Sequence, residues 1–129
     1  MRTIKFRIWD KFHKRIYYLA SSPMSQIHLQ VNNEHWGLFD GIKFICGSSD
    51  NSGILMQFTG LTDKNGKEIY EGDIVNFLVE TFTGNSVEYD ERIEEVYYDV
   101  ELSIMQPLVM SNEFKIIGNI HENPELLNN

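Results

Sequence analysis

The sequence predicts a mainly β protein in which an N-terminal β-hairpin region precedes a small barrel or sandwich, and the five or six strands expected after residue 54 suit a small β-barrel. Two observations predict this class: short segments alternate between apolar and polar residues, and turns rich in Gly, Asn and Asp separate them at short intervals. No internal repeat or low-complexity tract is present. The 129 residues, 42% of them apolar and 23% charged, fit one compact domain or two very small ones.

The chain begins with a predicted hairpin over residues 3–19. Ile4, Phe6 and Ile8 fall on one face of the first segment, which is the period of a half-buried strand. Residues 15–19 are the predicted partner strand, and the mostly polar residues between the two segments form a longer turn.

Further strands are expected before a loop that ends the first domain, residues 1–53. Residues 24–33 favour a strand, because every second residue from Ile27 is apolar. Residues 35–39 and 42–46 are predicted strands on either side of Asp40-Gly41, a dipeptide suited to the positive φ angles of a type I′ turn.

A second domain, residues 54–129, is predicted to contain the barrel. Its clearest turn is residues 63–67, because the Asn65-Gly66 pair accepts left-handed φ angles at little cost. A tight bend at residues 71–73 then leads into a β-branched and aromatic strand over residues 74–79.

Residues 91–105 fit two patterns. Ile93, Val96 and Val100 fit a helical stripe, whereas the even-numbered residues from Val96 to Ile104 are apolar or aromatic in strict alternation. The strand pattern leaves fewer apolar residues on the wrong face and is therefore favoured. Residues 114–120 are the last predicted strand, and Asn123-Pro124 favours a final turn or one short helix with Pro at its first position.

Charge is distributed unevenly along the chain. Residues 1–46 carry seven Lys and Arg against three Asp and Glu, a net charge of +4, whereas residues 47–129 carry four against sixteen, a net charge of −12. The densest acidic stretch, from Glu80 to Glu101, holds eight acidic residues and only Arg92 to oppose them. Bulk nucleic acid and anionic membranes should repel such a chain, although its N-terminal region retains positive charge.

Several classes of site are excluded by spacing or composition. A phosphate-binding loop is excluded because five residues rather than four separate Gly60 from Gly66, and Glu68 stands where Ser or Thr would meet magnesium. A calcium loop is excluded because Leu61 and Gly72 would occupy ligand positions. No run approaches the ~20 apolar residues of a membrane span, and the first residues lack the apolar segment of a secretory signal.

Other reactive side chains favour structural roles. Cys46 lies in an apolar setting with no activating cation nearby, and a single cysteine excludes an internal disulfide. No two histidines have the helical spacing of a metal pair; they are His13, His28, His35 and His121. The carboxylates around one bend are best explained as turn residues; they are Glu68, Glu71 and Asp73. We therefore expect no catalytic residue, no metal and no cofactor.

Two groups of charged residues are candidates for binding a partner. An acidic group would face a basic surface on a host or phage protein or on another copy of the chain; it comprises Glu88, Asp90, Glu91, Glu94 and Glu95. The alternative for this group is a solvated strand face with no partner. A basic group around an aromatic residue would contact nucleic acid by charge and stacking; it comprises Lys5, Arg7, Trp9, Lys14 and Arg15.

Three blocks of the sequence resemble the YopX family of phage and prophage proteins. The first lies within residues 1–18 and contains Ile-Lys-Phe-Arg-Ile-Trp-Asp-Lys from Ile4. The second runs from Met56 to Val75 and includes Gly-Leu-Thr-Asp-Lys-Asn-Gly-Lys-Glu-Ile-Tyr-Glu-Gly-Asp. The third, from Ile117 to Leu127, reads Ile-Gly-Asn-Ile-His-Glu-Asn-Pro-Glu-Leu-Leu. Residues 20–53 and 80–113 match no recognisable pattern.

The resemblance implies a mostly β protein with an SH3-like barrel in its C-terminal part, without an established activity or catalytic residues. We expect a cytoplasmic protein of the bacterial host cell that is not an enzyme and acts as a protein-interaction or accessory module. The alternative is a nucleic-acid-associated module that uses the basic N-terminal hairpin. We expect no membrane partner.

Overall fold

The computed structural model describes residues 4–19 and 26–128, and these residues confirm the mainly β class. They form strands and one short 3-10 helix, Pro124–Leu127. The strands are β1 Phe6–Asp10, β2 Arg15–Tyr18, β3 Ile27–Asn32, β4 His35–Asp40, β5 Lys43–Gly47, β6 Gly53–Thr62, β7 Glu68–Tyr70, β8 Asp73–Thr83, β9 Ser86–Glu95, β10 Tyr97–Asp99, β11 Ile104–Gln106 and β12 Lys115–Asn119. Contacts group the chain into two compact units that are divided between Gln57 and Phe58.

The unit that ends at Gln57 is built on β1. This strand pairs antiparallel with β2 on one side and with the first half of β6 on the other. Strands β3, β4 and β5 form a separate antiparallel sheet in that order. Ile8, Leu38 and Cys46 are fully buried together and form the core of this unit.

The turn between β1 and β2 is organised by the buried carboxylate of Asp10. Its Oδ1 accepts hydrogen bonds from the backbone N–H groups of Phe12 and His13, at 3.0 and 3.2 Å. Its Oδ2 lies 2.6 Å from Nδ1 of His13. Because the carboxylate is fully buried, these contacts supply the hydrogen bonds that it would otherwise make to water.

The loop between β4 and β5 differs from the predicted type I′ turn. Asp40 pairs with Lys43, so the two-residue loop is Gly41-Ile42, one residue later than the predicted Asp40-Gly41. Only Gly41 has a positive φ angle, of 61°. A type I′ turn needs positive φ at both loop residues, whereas a type II′ turn needs it only at the first. The loop therefore has the type II′ pattern, because the second loop residue is the β-branched Ile42.

The unit that begins at Phe58 has its own core. Strands β12, β8 and β9 form one antiparallel sheet, and β10 and β11 form a two-stranded hairpin. The buried core residues are Ile69, Val75, Phe77, Val96, Leu108 and Phe114. The rings of Phe77 and Phe114 lie 5.0 Å apart at a tilt of 50°. The SH3-like arrangement of these strands stays a prediction from the family resemblance.

Residues 91–105 are extended, as favoured, but they do not form one strand. The end of β9, all of β10 and the start of β11 share this range, and a turn in which Ser103 has a φ of 56° separates β10 from β11. Oδ1 of Asp99 accepts the N–H groups of Glu101 and Leu102 and thereby fixes the turn. Apolar and polar residues continue to alternate across this turn, which is why the sequence suggested a single strand.

Across the described ranges, no helix is long and apolar enough to cross a membrane.

The predicted turn at residues 63–67 is joined to the last strand by Asp63, which is 6% exposed. Its Oδ1 accepts the N–H groups of Asn65 and Lys67, both at 2.9 Å, and its Oδ2 accepts the N–H of Ile116 at 3.2 Å. Burial alone would raise the pKa of Asp63, but these hydrogen bonds and the charge of Lys67 hold it below its usual range. One carboxylate therefore fixes both the turn and its position against β12.

A second set of side-chain bonds fixes the chain after β12. Oδ1 of Asn119 accepts the N–H groups of His121 and Glu122, at 3.0 and 2.9 Å. Oδ1 of Asn123 in turn accepts the N–H of Asn119 at 3.2 Å. A Cβ atom at Gly118 would lie 2.6 Å from Oδ1 of Asn123, so glycine is required for this close approach. The 3-10 helix with Pro124 at its start follows, as predicted.

We predict that Gly66→Val lowers the free energy of unfolding by about 1–2 kcal/mol, because a β-branched residue resists left-handed backbone angles. Gly66 has a φ of 83°, and a Cβ atom at this position would meet no other atom within 4 Å, so the cost comes from the backbone alone. Chemical denaturation measures the change. Asn65→Ala is the matched control, since only the backbone N–H of Asn65 bonds to Asp63. An unchanged free energy of unfolding for Gly66→Val would contradict the prediction.

We predict that Asp63→Asn lowers the free energy of unfolding at pH 7 by about 1–3 kcal/mol, because an amide group cannot accept every N–H that the carboxylate accepts. The pKa of Asp63 is lower in the folded state than in the unfolded state. Its stabilising contribution is therefore complete above an unfolded pKa of about 3.9 and is lost as the pH falls through the folded value.

Denaturation of both proteins between pH 7 and pH 2 tests this prediction. The difference between wild type and Asp63→Asn should shrink below about pH 4. A difference that stays constant over the whole range would show that the carboxylate charge makes no contribution.

Candidate partner-binding surface

A long β-hairpin, formed by β8 and β9, carries most of the predicted acidic residues. The two strands pair without a register shift from Ile74 opposite Glu95 to Thr83 opposite Ser86, and a two-residue loop closes them. Every residue from Glu80 to Arg92 is exposed. We call residues 78–92 the arm, because the side chains of this stretch lie outside the core except for the half-buried Val79.

One face of the arm, which we call the apolar face, carries four large apolar side chains together with Glu80 and Glu91. Leu78, Phe82, Val87 and Tyr89 are 51%, 72%, 47% and 60% exposed. Phe82 lies opposite Val87 in the pairing, and alternate residues along each strand share a face, so all four lie on the same side of the hairpin. A cluster of four large apolar side chains on one exposed face is typical of a surface that binds another molecule.

The predicted acidic residues do not form a single patch. By alternation and pairing, Glu88, Asp90 and Glu94 lie on one face of β9, whereas Glu91 and Glu95 lie on the apolar face. The sequence-based hypothesis of five acids facing one basic surface is therefore corrected: a strand cannot direct neighbouring residues to the same side.

Several of these acids also have partners within the chain. Asp90 Oδ2 accepts the hydroxyl of Thr81 at 3.3 Å, and Glu91 Oε1 accepts the side-chain amide of Asn76 at 2.7 Å. Glu94 lies 3.8 Å from the guanidinium of Arg92. Glu95 is half-buried, and desolvation raises its pKa. Glu88 and Asp90 remain exposed near the end of the arm.

The predicted basic group is divided by the fold. Arg7 and Trp9 are only 2% and 8% exposed, and Lys5 is half-buried. Only Lys14 and Arg15 keep exposed side chains. Alternation predicted one buried face for β1, but the residues from Arg7 to Asp10, which alternate between its two faces, are all buried. Arg7 and Trp9 are therefore not presented to a nucleic acid.

A groove of about 800 Å³ lies beside the arm. One wall is formed by β8 between Asn76 and Phe82, and the other by residues 109–115. Val109 and Met110 are 62% and 40% exposed on the second wall. Charged residues of both signs line the groove: Lys64, Lys115, Glu80, Glu91 and Glu113. The second wall could not be predicted from the sequence, because residues 109–114 form an irregular segment without periodicity.

The remaining candidate reactive residues have structural surroundings. Asp73 is 2% exposed, and its Oδ2 accepts the N–H of Tyr70 at 2.8 Å. Cys46 is fully buried, and burial together with the nearby charges of Asp10 and Asp50 raises the pKa of its thiol to about 11. Within residues 4–19 and 26–128, no group of three or more His, Cys, Asp and Glu side chains is placed to hold a metal ion.

Comparison with known proteins identifies the class. The family model described as "YopX protein" matches residues 5–128, nearly the whole chain. The chain therefore belongs to the YopX family, as its three sequence blocks suggested.

Its fold is also similar to that of a solved protein. The crystal structure of protein EF1440 from Enterococcus faecalis superposes with a TM-score of 0.54 and 24% sequence identity, covering 98% of this chain and 99% of that one. At this identity the similarity extends to the fold alone. No curated protein matches the chain.

We predict that Cys46 reacts slowly with thiol reagents in the folded protein. The thiolate is the reactive form, and at pH 8 a thiol with a pKa of about 11 is almost entirely protonated. Absorbance with an aromatic disulfide reagent should show little reaction in native buffer and complete reaction in denaturant. Fast, complete labelling of the native protein would contradict the buried position.

Proposed function

We propose that this YopX family chain is a non-enzymatic protein-interaction module whose arm binds a basic segment of another protein. The observation that carries the proposal is the apolar face of the arm, where Phe82 and Tyr89 are 72% and 60% exposed in an acidic setting. Large aromatic side chains supply much of the binding energy at protein interfaces.

Charge defines the kind of partner. The arm carries Glu80, Glu88, Asp90 and Glu91, with only Arg92 to oppose them. Such a cluster contributes little to stability, since isolated surface ion pairs contribute about 0–1 kcal/mol each. A basic partner would relieve the repulsion between these carboxylates and would associate faster at low salt. The phage and prophage setting implied by the family resemblance points to a phage or host protein as the partner.

A nucleic-acid role is the second candidate, carried by a smaller surface than the sequence suggested. The turn between β1 and β2 exposes Lys11, Lys14 and Arg15, and Phe12 beside them is 81% exposed. An exposed aromatic ring among cations can stack on an unpaired base. The net charge of −8 opposes binding to nucleic acid, so the protein-binding proposal is preferred.

We predict that Phe82→Ser combined with Tyr89→Ser removes the partner without unfolding the protein. Both side chains are exposed, so stability should change by no more than about 0.5 kcal/mol per substitution. Tyr97→Ser combined with Val100→Ser is the matched control, because these residues are also exposed, at 47% and 78%, but lie outside the arm.

Affinity capture from induced host cells, after nuclease treatment, provides the measurement. A protein retained by wild type and by the control but lost from the arm variant supports the proposal. Glu88→Gln with Asp90→Asn should weaken the same complex, mainly at low salt. Equal capture by all four proteins would contradict an arm interface.

The nucleic-acid candidate is tested in parallel. Single-stranded DNA binding by wild type should fall steeply with salt if this role is correct, because each phosphate contact releases counterions. Lys14→Ala with Arg15→Ala should then reduce both the affinity and the salt slope. Absence of binding at low salt would remove this candidate.

A further inference from the structure

The edge of β8 that faces away from β9 is open over half of the strand. On that side β12 pairs with β8 only between Asp73 and Asn76, whereas β9 pairs with β8 as far as Thr83. Beyond Asn76 the chain of the second wall turns away, because Phe114 is packed into the core instead of continuing β12. Within the described part of the chain, no strand pairs with this edge from Phe77 to Thr83.

The pairing pattern shows which backbone groups point to the open edge. The N–H of Val96 donates to the carbonyl of Asp73 at 2.8 Å, so the backbone groups of Asp73 face β9. Successive residues of an antiparallel strand direct these groups to opposite edges. The register is continuous from Ile74 to Thr83. The residues that present N–H and C=O at the open edge are therefore Leu78, Glu80 and Phe82.

The closing turn of the hairpin supports this assignment. Thr83 and Ser86 flank the two-residue loop, where the C=O of the first residue usually accepts the N–H of the fourth. The backbone of Thr83 thus faces β9, as that of Asp73 does, and the even-numbered residues between them face outward.

Apart from the charge of Glu80, the open edge lacks the usual features that prevent pairing with another strand. Proteins commonly protect such edges with Pro, a charged residue such as Lys, or a bulge. Residues 77–83 contain no Pro and no Lys, and no register shift interrupts β8 there. The groove lies directly along this edge, with Met110 on its far wall, where a flexible thioether can adapt to different side chains.

We propose that the open edge of β8 binds an extended segment of the basic partner as an added strand. The backbone of the segment would pair with Leu78, Glu80 and Phe82, which supplies affinity independent of sequence. Its apolar residues would lie beside Leu78 and Phe82, and a Lys or Arg would lie beside Glu80, which supplies specificity. This inference rests on the proposed protein-binding function and defines how the partner is bound.

The test uses as the probe a synthetic eight-residue peptide, Lys-Thr-Val-Thr-Lys-Thr-Val-Thr, in which Lys and Val alternate along one face of the extended chain. Amide hydrogen exchange followed by NMR reports each backbone group separately. In the free protein, the amides of Leu78, Glu80 and Phe82 should exchange quickly, while those of Val79 and Thr81 are protected by β9. The peptide should slow exchange at the first three and leave the other two unchanged. No protection at millimolar peptide would overturn strand addition.

A proline substitution supplies the matched variant. Glu80→Pro removes one edge-facing N–H, and the pairing with β9 survives because that N–H points away from β9. Glu80→Gln removes the charge and keeps the N–H. We expect Glu80→Pro to weaken peptide binding about tenfold or more, and Glu80→Gln only about twofold to threefold and mainly at low salt. Unfolding curves and the amide protection of Val79 verify that both variants fold.

The outcomes separate the two proposals. If Glu80→Pro binds the peptide and the captured partner as wild type does, while Phe82→Ser with Tyr89→Ser still loses the partner, strand addition is wrong and the arm interface stands. If the arm variant also keeps the partner, the proposed function fails. If wild type forms dimers in sedimentation and Glu80→Pro abolishes them, the occupant of the edge is a second copy, and the assignment to a basic partner is overturned.

Discussion

The buried carboxylate of Asp63 is the interaction on which the unit beginning at Phe58 depends. It accepts hydrogen bonds from the backbone N–H groups of Asn65 and Lys67 in one turn. It also accepts one from Ile116, some fifty residues later in β12. A single side chain thus connects the turn to the strand and satisfies backbone N–H groups that would otherwise bond to water. With β12 held in this position, β8 is paired at its core end and left open at its outer end.

The residues that carry the family resemblance are mainly residues that determine the fold. Asp63, Gly66 and Asp73 lie in the central block, and Asn119 and Asn123 lie in the final one, where each supports a turn or a strand end. The arm, residues 78–92, lies entirely outside both blocks. The proposed binding surface therefore lies outside the blocks that carry the family resemblance.

Most strands were predictable because their side chains alternate and because Gly and Asn identify the turns. The sequence misled where a pattern continued through a turn, as at Val100 and Leu102, and where both faces of a strand are buried, as for Arg7 and Trp9. Alternation reports which residues share a face but not how many faces are covered. The groove was unpredictable for a different reason: it depends on where β12 stops pairing, which no local pattern records.

The uninterrupted register of β8 and β9 has an evolutionary consequence. Inserting or deleting one residue in either strand would exchange its two faces. In β8 a threonine would replace Phe82 on its face and the edge amides would be redirected, and in β9 a carboxylate would replace Tyr89. Removing two consecutive residues from each strand would preserve both the faces of the side chains and the direction of the edge amides. Lineages descended from this chain should therefore lengthen or shorten the hairpin in steps of two residues per strand. The length of the hairpin can then vary, while each side chain keeps its face.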